Sequence, residues 1–182
     1  MQIEERTMKK GEEYYRKGRV LWVVKSGEKL FSKVLGSYPY HVEINLESGE
    51  NLCTCPLGGD CKHVAATLIA YKKGACFEAI SKTAEVFPEA TALEFLGEVP
   101  SLALDVTLRE LRFQLSADES GSEAANLFIR ALRLAEKSRR PEVIHLLEEF
   151  LEEYRHVFPE YELTKRLEKM FKAVKEKFQK AL

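Results

Sequence analysis

Cys53-Thr54-Cys55-Pro56-Leu57-Gly58-Gly59-Asp60-Cys61-Lys62-His63 places three thiols and an imidazole within eleven residues, and the apolar run Val64-Ala65-Ala66-Thr67-Leu68-Ile69-Ala70-Tyr71 follows at once. Three thiolates and one imidazole are the ligand set of a closed, four-coordinate structural zinc site, with no open position for chemistry. Two residues apart on an extended strand, Cys53 and Cys55 share a face but stand roughly 6.6 Å apart. Sulfurs bound to one tetrahedral zinc stand about 3.8 Å apart. The chain must therefore bend between them, and Pro56 ends the strand. Residues two apart on a helix face nearly opposite ways, so Cys61 has to lie at or before the first turn of the helix that carries His63. Gly58-Gly59-Asp60 supplies the turn, with Asp60 read as the N-cap. A buried cysteine is often only a small hydrophobe, but three of the four cysteines fall within nine residues. A disulfide reading is weaker, because the N-terminus shows no apolar signal segment and clustered cysteines in a reducing compartment more often bind metal. Cys76 is left over and reads as a packing residue.

The pattern C-x-C, a short glycine-rich loop and then C-x-H resembles the SWIM zinc finger. The lead-in Gly11-Glu12-Glu13-Tyr14-Tyr15-Arg16-Lys17-Gly18-Arg19-Val20 and the segment Cys61-Lys62-His63-Val64-Ala65-Ala66 carry the resemblance further, so that it covers about the first 75 residues. That family occurs in Snf-type helicases, Mutator-type transposases, a kinase of the MAP-kinase cascade, and small proteins that accompany paralogues of RecA-family recombinases. The resemblance implies a ββα zinc module that binds nucleic acid or protein and has no catalysis of its own.

The 182 residues suffice for one large domain or two small ones; two are expected. The formal net charge of -1 argues against a generic polyanion binder. Through Ala75, twelve Lys and Arg stand against nine Asp and Glu, about +3, and the remainder has sixteen against twenty, about -4. Three thiolates and one Zn²⁺ sum to -1 and lower the first figure. No apolar run is long enough to span a membrane, and a cytoplasmic or nucleoid-associated protein is expected.

Residues from about Ile3 to Lys17 suit a short helix closed by Gly18, with Gly11 as a weak point. Val20-Leu21-Trp22-Val23-Val24 and Leu30-Phe31-Ser32-Lys33-Val34-Leu35 flank Ser26-Gly27-Glu28 and read as a hairpin. Tyr40, Val42, Ile44 and Leu46 alternate with His41, Glu43 and Asn45, which assigns the first set inward and the second to water. The fold class is α+β: a small antiparallel sheet of about four strands with a ββα zinc finger, followed by an all-α helical bundle. The expected organisation is a zinc-binding domain over 1–75, a connector with short helices over 76–100, and a bundle of about four helices over 101–182. In the last part Leu104, Leu108, Leu111 and Leu115 repeat at helical spacing. Ala125, Phe128, Leu132 and Ala135 do so after a capping box from Ser120 to Glu123. Pro141 and Pro159 open the last two helices.

Glu148, Glu149, Glu152 and Glu153 crowd one helix, while Lys165, Arg166, Lys169, Lys172, Lys175, Lys177 and Lys180 crowd the next. They read as solvated faces with some cross-helix pairing; the other reading is a basic stripe for nucleic acid or an acidic partner. In the first domain Arg16, Lys17, Arg19, Lys33, Lys62, Lys72 and Lys73 are candidate contacts to nucleic acid or partner, interleaved with Tyr14, Tyr15, Trp22, Tyr38 and Tyr40. Catalysis is not expected: there is no phosphate loop, dinucleotide fingerprint or H-E-x-x-H pair. The expected zinc ligands are Cys53, Cys55, Cys61 and His63, for one structural Zn²⁺. The expected function is a zinc-finger adaptor mediating protein–protein interaction. The resemblance adds DNA recombination or repair as its setting and a RecA-family recombinase paralogue as its partner. The alternative is a direct DNA or single-stranded DNA binder, or a transcription-type regulator; no membrane and no small-molecule substrate are expected.

Overall fold

Val20-Leu21-Trp22-Val23-Val24 is a run of apolar residues without alternation, which suits a strand buried on both faces. In the computed structural model, which describes residues 3–78, 100–117, 119–159 and 162–181, that run forms β1 (Val20–Ser26), and Leu21, Trp22, Val23 and Val24 are all buried. The two-residue loop Gly27-Glu28 returns the chain as β2 (Lys29–Leu35), and β3 (Pro39–Asn45) and β4 (Asn51–Cys53) follow antiparallel. A two-residue strand, β5 (Phe77–Glu78), pairs parallel to β1, giving the order β4-β3-β2-β1-β5. The sheet is thus mixed, with one strand beyond the four expected. The short helices expected between 76 and 100 lie outside the described residues from 79 onward.

Helices α1 (Glu5–Arg16) and α2 (Lys62–Lys72) build the layer on one face. Buried Val23, Leu30, Val34, Val42 and Ile44 from the sheet meet Val64, Ala66, Leu68 and Ala70 of α2. Burying such apolar area supplies the main driving force for the unit, on the order of 25 cal/mol per Å². One polar pair crosses this core: the Ser32 and Thr67 hydroxyls are 2.6 Å apart, and Thr67 Oγ1 donates to the His63 carbonyl at 2.9 Å. On the other face Trp22, Val24 and Phe31 are buried, and His41 and Glu43 are only partly exposed. The expectation that His41, Glu43 and Asn45 face water is corrected accordingly: Glu43 carries an ion pair to Lys29, and the His41 ring stands 6.3 Å from that of Trp22. Gly11, the weak point of α1 by propensity, has a packing reason. It is buried in α1 against Ala65 of α2, where a side chain could not fit.

The chain divides into two compact units, Met1–Val99 and Pro100–Leu182. In the second, the helical periods of the sequence appear as α3 (Pro100–Ala117), α4 (Ser122–Ser138), α5 (Ile144–Val157) and α6 (Glu162–Lys180), with a 3₁₀ turn at Pro141–Val143 before α5. Leu104, Phe128, Leu132, Leu147, Phe150, Leu167 and Phe171 form its core, and the Phe128 and Phe150 rings stack at 5.3 Å. The expected N-cap at Ser120 is corrected by one residue. Gly121 is the N-cap, with φ at 71°, and Ser120 Oγ accepts from the backbone N–H of Ser122. Buried Tyr154 donates its hydroxyl to the Gly121 carbonyl at 2.9 Å, tying α5 to the start of α4. Among the described residues six α-helices and five strands make an α+β fold, and no helix is long and apolar enough to cross a membrane.

Candidate metal centre

The end of β4, the loop after it and the start of α2 together bring four donors to one point. β4 stops at Cys53, but pairing to β3 continues through Thr54, whose N–H donates to the His41 carbonyl at 3.0 Å and whose hydroxyl accepts from the His41 N–H at 2.9 Å. The chain then turns back on itself. Gly58 N–H donates to the Cys55 carbonyl at 2.9 Å, and Cys53 N–H donates to the Gly58 carbonyl at 2.8 Å. This is the bend that two cysteines sharing a metal require, made with Gly58 at φ 74°. The far end of the loop is pinned by Asn51, which accepts the Asp60 N–H at 2.7 Å and donates to the Asp60 carboxylate at 2.9 Å.

The expected N-cap is corrected by one residue. Asp60 takes φ 44°, and Cys61 occupies the N-cap position with extended backbone. Cys61 therefore stands just outside the helix and His63 one residue inside it, which frees the two side chains from facing opposite ways.

The donor atoms of Cys53, Cys55, Cys61 and His63 all lie within 4.8 Å of one another, and all four residues are buried. His63 Nδ1 is 3.7 Å from the Cys53 sulfur and 3.6 Å from that of Cys61. Around a tetrahedral zinc with Zn–S about 2.3 Å and Zn–N about 2.0 Å, sulfur and nitrogen stand about 3.5 Å apart, so the donor set fits one zinc ion. A hydrogen bond from Cys53 draws the Cys61 thiol down to about 3, with His63 and the backbone N–H groups of Val64 and His63 adding to it against burial. The same bond, and then burial, push Cys53 up. A bound dication would take both sulfurs as thiolates. All four cysteines are free of disulfides; Cys76, half-buried, gives its S–H to the Phe77 carbonyl and stands apart from the cluster.

Residues 40–72 match the family described as SWIM zinc finger. The chain carries a SWIM zinc finger. A protein of Methanocaldococcus jannaschii, described as uncharacterized, is 32% identical to the chain over 99 residues, which covers 53% of this chain and 43% of that protein. The chain therefore spans less than half the length of that relative. No solved structure matches the chain. The SWIM finger is able to hold one zinc ion in a buried Cys₃His site, and its four donors leave no open coordination position, which makes the metal structural.

The finger's surroundings sort the candidate contact residues. Arg19 and Lys62 converge on the ring of Tyr14, each cation 4.8 Å from its centroid, and Lys73 lies 5.7 Å from that of Tyr15. Lys62, between two ligands in the sequence, thus leans on an aromatic face. Arg16 and Lys17 are exposed at the end of α1, with Lys17 paired to Glu13, and Lys72 is exposed at the end of α2. Lys33 lies on the other pleat of β2, in register with Trp22 and His41, away from the zinc helix. In the second unit, Lys175 and Lys177 are paired to Glu148 and Glu136 at 2.6 Å each, and Arg155 to Glu168 at 3.4 Å. Those cations serve cross-helix pairing, of modest value at the surface.

One residue of the site is not legible in the sequence. Gly36, between β2 and β3, lies so close to the His63 ring that a Cβ there would stand 2.8 Å from Nε2. A glycine at a strand end reads as turn chemistry, and nothing in its sequence neighbourhood points to a metal ligand 27 positions on.

Proposed function

We propose that the chain is a non-catalytic zinc-finger adaptor that docks a protein partner in DNA recombination or repair, a RecA-family recombinase paralogue being the partner the family resemblance suggests. The observation that carries the protein-docking part is Leu57. It sits in the zinc loop between Cys55 and Cys61, is 76% exposed, and is held there by the backbone hydrogen bonds of Gly58. Leu52 on the neighbouring edge strand is also exposed. A large apolar side chain fixed in water by a metal-braced loop favours burial against another protein, and a net charge near zero favours protein over polyanion. The test is titration of the zinc-loaded chain against a purified recombinase paralogue from the same organism. A complex that Leu57→Asp weakens tenfold or more, at unchanged zinc content, supports the reading. Absence of a complex with the wild-type chain refutes the partner.

Direct binding of single-stranded DNA is the alternative, favoured by Tyr38, which is 70% exposed, and by the convergence of Arg19 and Lys62 on Tyr14. Cations beside exposed aromatics can hold phosphates while bases stack. Affinity for labelled single-stranded DNA that falls steeply with salt, and falls further in Arg19→Glu/Lys62→Glu, would select it.

A further inference from the structure

His63 faces the thiol cluster through Nδ1, which leaves Nε2 on the far side of the ring. A metal-ligating histidine usually gives that second N–H to a carboxylate or a carbonyl, which fixes its tautomer and its orientation. Here Nε2 is buried with no hydrogen-bond partner, and His63 as a whole is only 3% exposed. What surrounds it instead is shape. The Tyr40 ring lies 4.7 Å from the imidazole, tilted at 40°, and the Tyr14 ring meets it edge-on at 5.5 Å and 69°. Gly36 closes the remaining side, since a Cβ on it would stand 2.6 Å from the Tyr40 ring and 2.8 Å from His63 Nε2.

We propose that Tyr14, Tyr40 and Gly36 position His63 for the metal by steric confinement, so that α1, which lies outside the matched segment, is part of the zinc centre through Tyr14. The inference rests on zinc occupying the Cys₃His cluster. Two of the three confining residues, Tyr14 and Gly36, precede residue 40, where the family match begins. With no acceptor at Nε2 to hold the ring, its angle is set by contacts that vanish when a wall is removed. Tyr14 is also the residue on which Arg19 and Lys62 rest, so the ring that supports the ligand is itself held in place from outside by two cations.

The test uses the full chain loaded with zinc or with cobalt(II). Zinc affinity is read by competition with a chromophoric chelator, and ligand geometry by the cobalt d–d and thiolate-to-cobalt bands. Loss of a metal-supporting outer residue typically costs about 10- to 100-fold in affinity, and Tyr14→Ala and Gly36→Ala are expected in that range with altered cobalt bands. Tyr14→Phe keeps the ring and is expected within twofold of wild type with unchanged bands. If Gly36→Ala fails to fold, the Tyr14 pair still decides. Wild-type zinc affinity and an unchanged cobalt spectrum in Tyr14→Ala would overturn the proposal, even if its thermal stability fell. A wild-type chain that binds no zinc would instead refute the zinc reading on which the inference stands.

Discussion

Gly11→Ala sets two effects of known size against each other. Within a helix, alanine is favoured over glycine by roughly 1 kcal/mol, so propensity alone predicts a stabler α1. The structure predicts the opposite. A Cβ at Gly11 would stand 2.5 Å from the Ala65 Cβ and 2.8 Å from both the Ala65 carbonyl carbon and the Ala66 nitrogen. Two of those three atoms are backbone of a buried helix and have no rotamer in which to move aside. Carbon–carbon contact is optimal at about 3.5–4.0 Å, so α1 has to lift by about an ångström along its contact with α2. Overpacking of this kind costs about 1–3 kcal/mol, and a gap of that size forfeits a quarter to a half of each contact's dispersion energy. Packing therefore outweighs propensity, with an expected net loss of up to about 2 kcal/mol. Urea denaturation of the zinc-loaded chain followed by Trp22 fluorescence measures it, because the lone tryptophan is buried in β1 and reports the first unit. A midpoint equal to or above wild type would show that propensity prevails and that α1 does not approach α2 this closely.

Removing zinc with a strong chelator, or breaking the site with Cys55→Ser, is expected to lower the Trp22-reported melt while sparing the helical circular dichroism of the second unit. Full metal loss with an unchanged melt would contradict a structural metal. Because each ligand must shed its proton before binding, the zinc-dependent part of that stability should be full at neutral pH and decline as pH falls, and acid titration of the melting difference between loaded and chelated protein checks this sign. Thr67→Val should cost about 1–3 kcal/mol, since it strands the Ser32 hydroxyl in the core, whereas Ser32→Ala leaves Thr67 bonded to the His63 carbonyl and should cost about 0.5–1.5 kcal/mol. Strict additivity of the two in a double-mutant cycle would rule out their coupling. Tyr154→Phe should cost about 0.5–1.5 kcal/mol, because the Gly121 carbonyl it loses as acceptor keeps the Ala125 N–H as a donor, and a loss well above that range in chemical denaturation would show that more than this bond is broken.

The parts of the molecule legible in the sequence are those whose cause is local. Cys53, Cys55, Cys61 and His63 announce themselves by residue type and spacing, and Gly27 by its place between two β-rich runs. The leucine periods of α3 and the Pro141 start before α5 follow from helix geometry. What was illegible depends on residues far apart in the chain. β5 is two residues long and pairs parallel to a strand more than fifty residues earlier, too short for any pattern to form. Gly11 reads as a helix flaw until Ala65 is placed against it. The run Val20 to Val24 did carry the sign of burial on both faces, which a single-faced sheet does not need, while His41, Glu43 and Asn45 alternate as if exposed. Asp60 is a good capping residue by type, but the loop's bond to Asn51 holds its backbone in a left-handed conformation unsuited to an N-cap. The confinement of His63 by Tyr14 and Gly36 exists only in three dimensions.

The loop of the finger also guards a border. Among the described residues β4 is the outer strand of the sheet, and such strands offer unpaired N–H and C=O groups to any other chain that can lie alongside. Here the N–H of Cys53 is taken by the Gly58 carbonyl, and the segment bearing Gly58 and Asp60 folds back over β4 from Asn51 to Cys53. That cover is anchored at both ends by cysteines that meet at the metal. Demetallation is expected to release that anchor and uncover the strand edge beside exposed Leu52, and chelated protein that scatters no more light than the zinc-loaded protein would refute this.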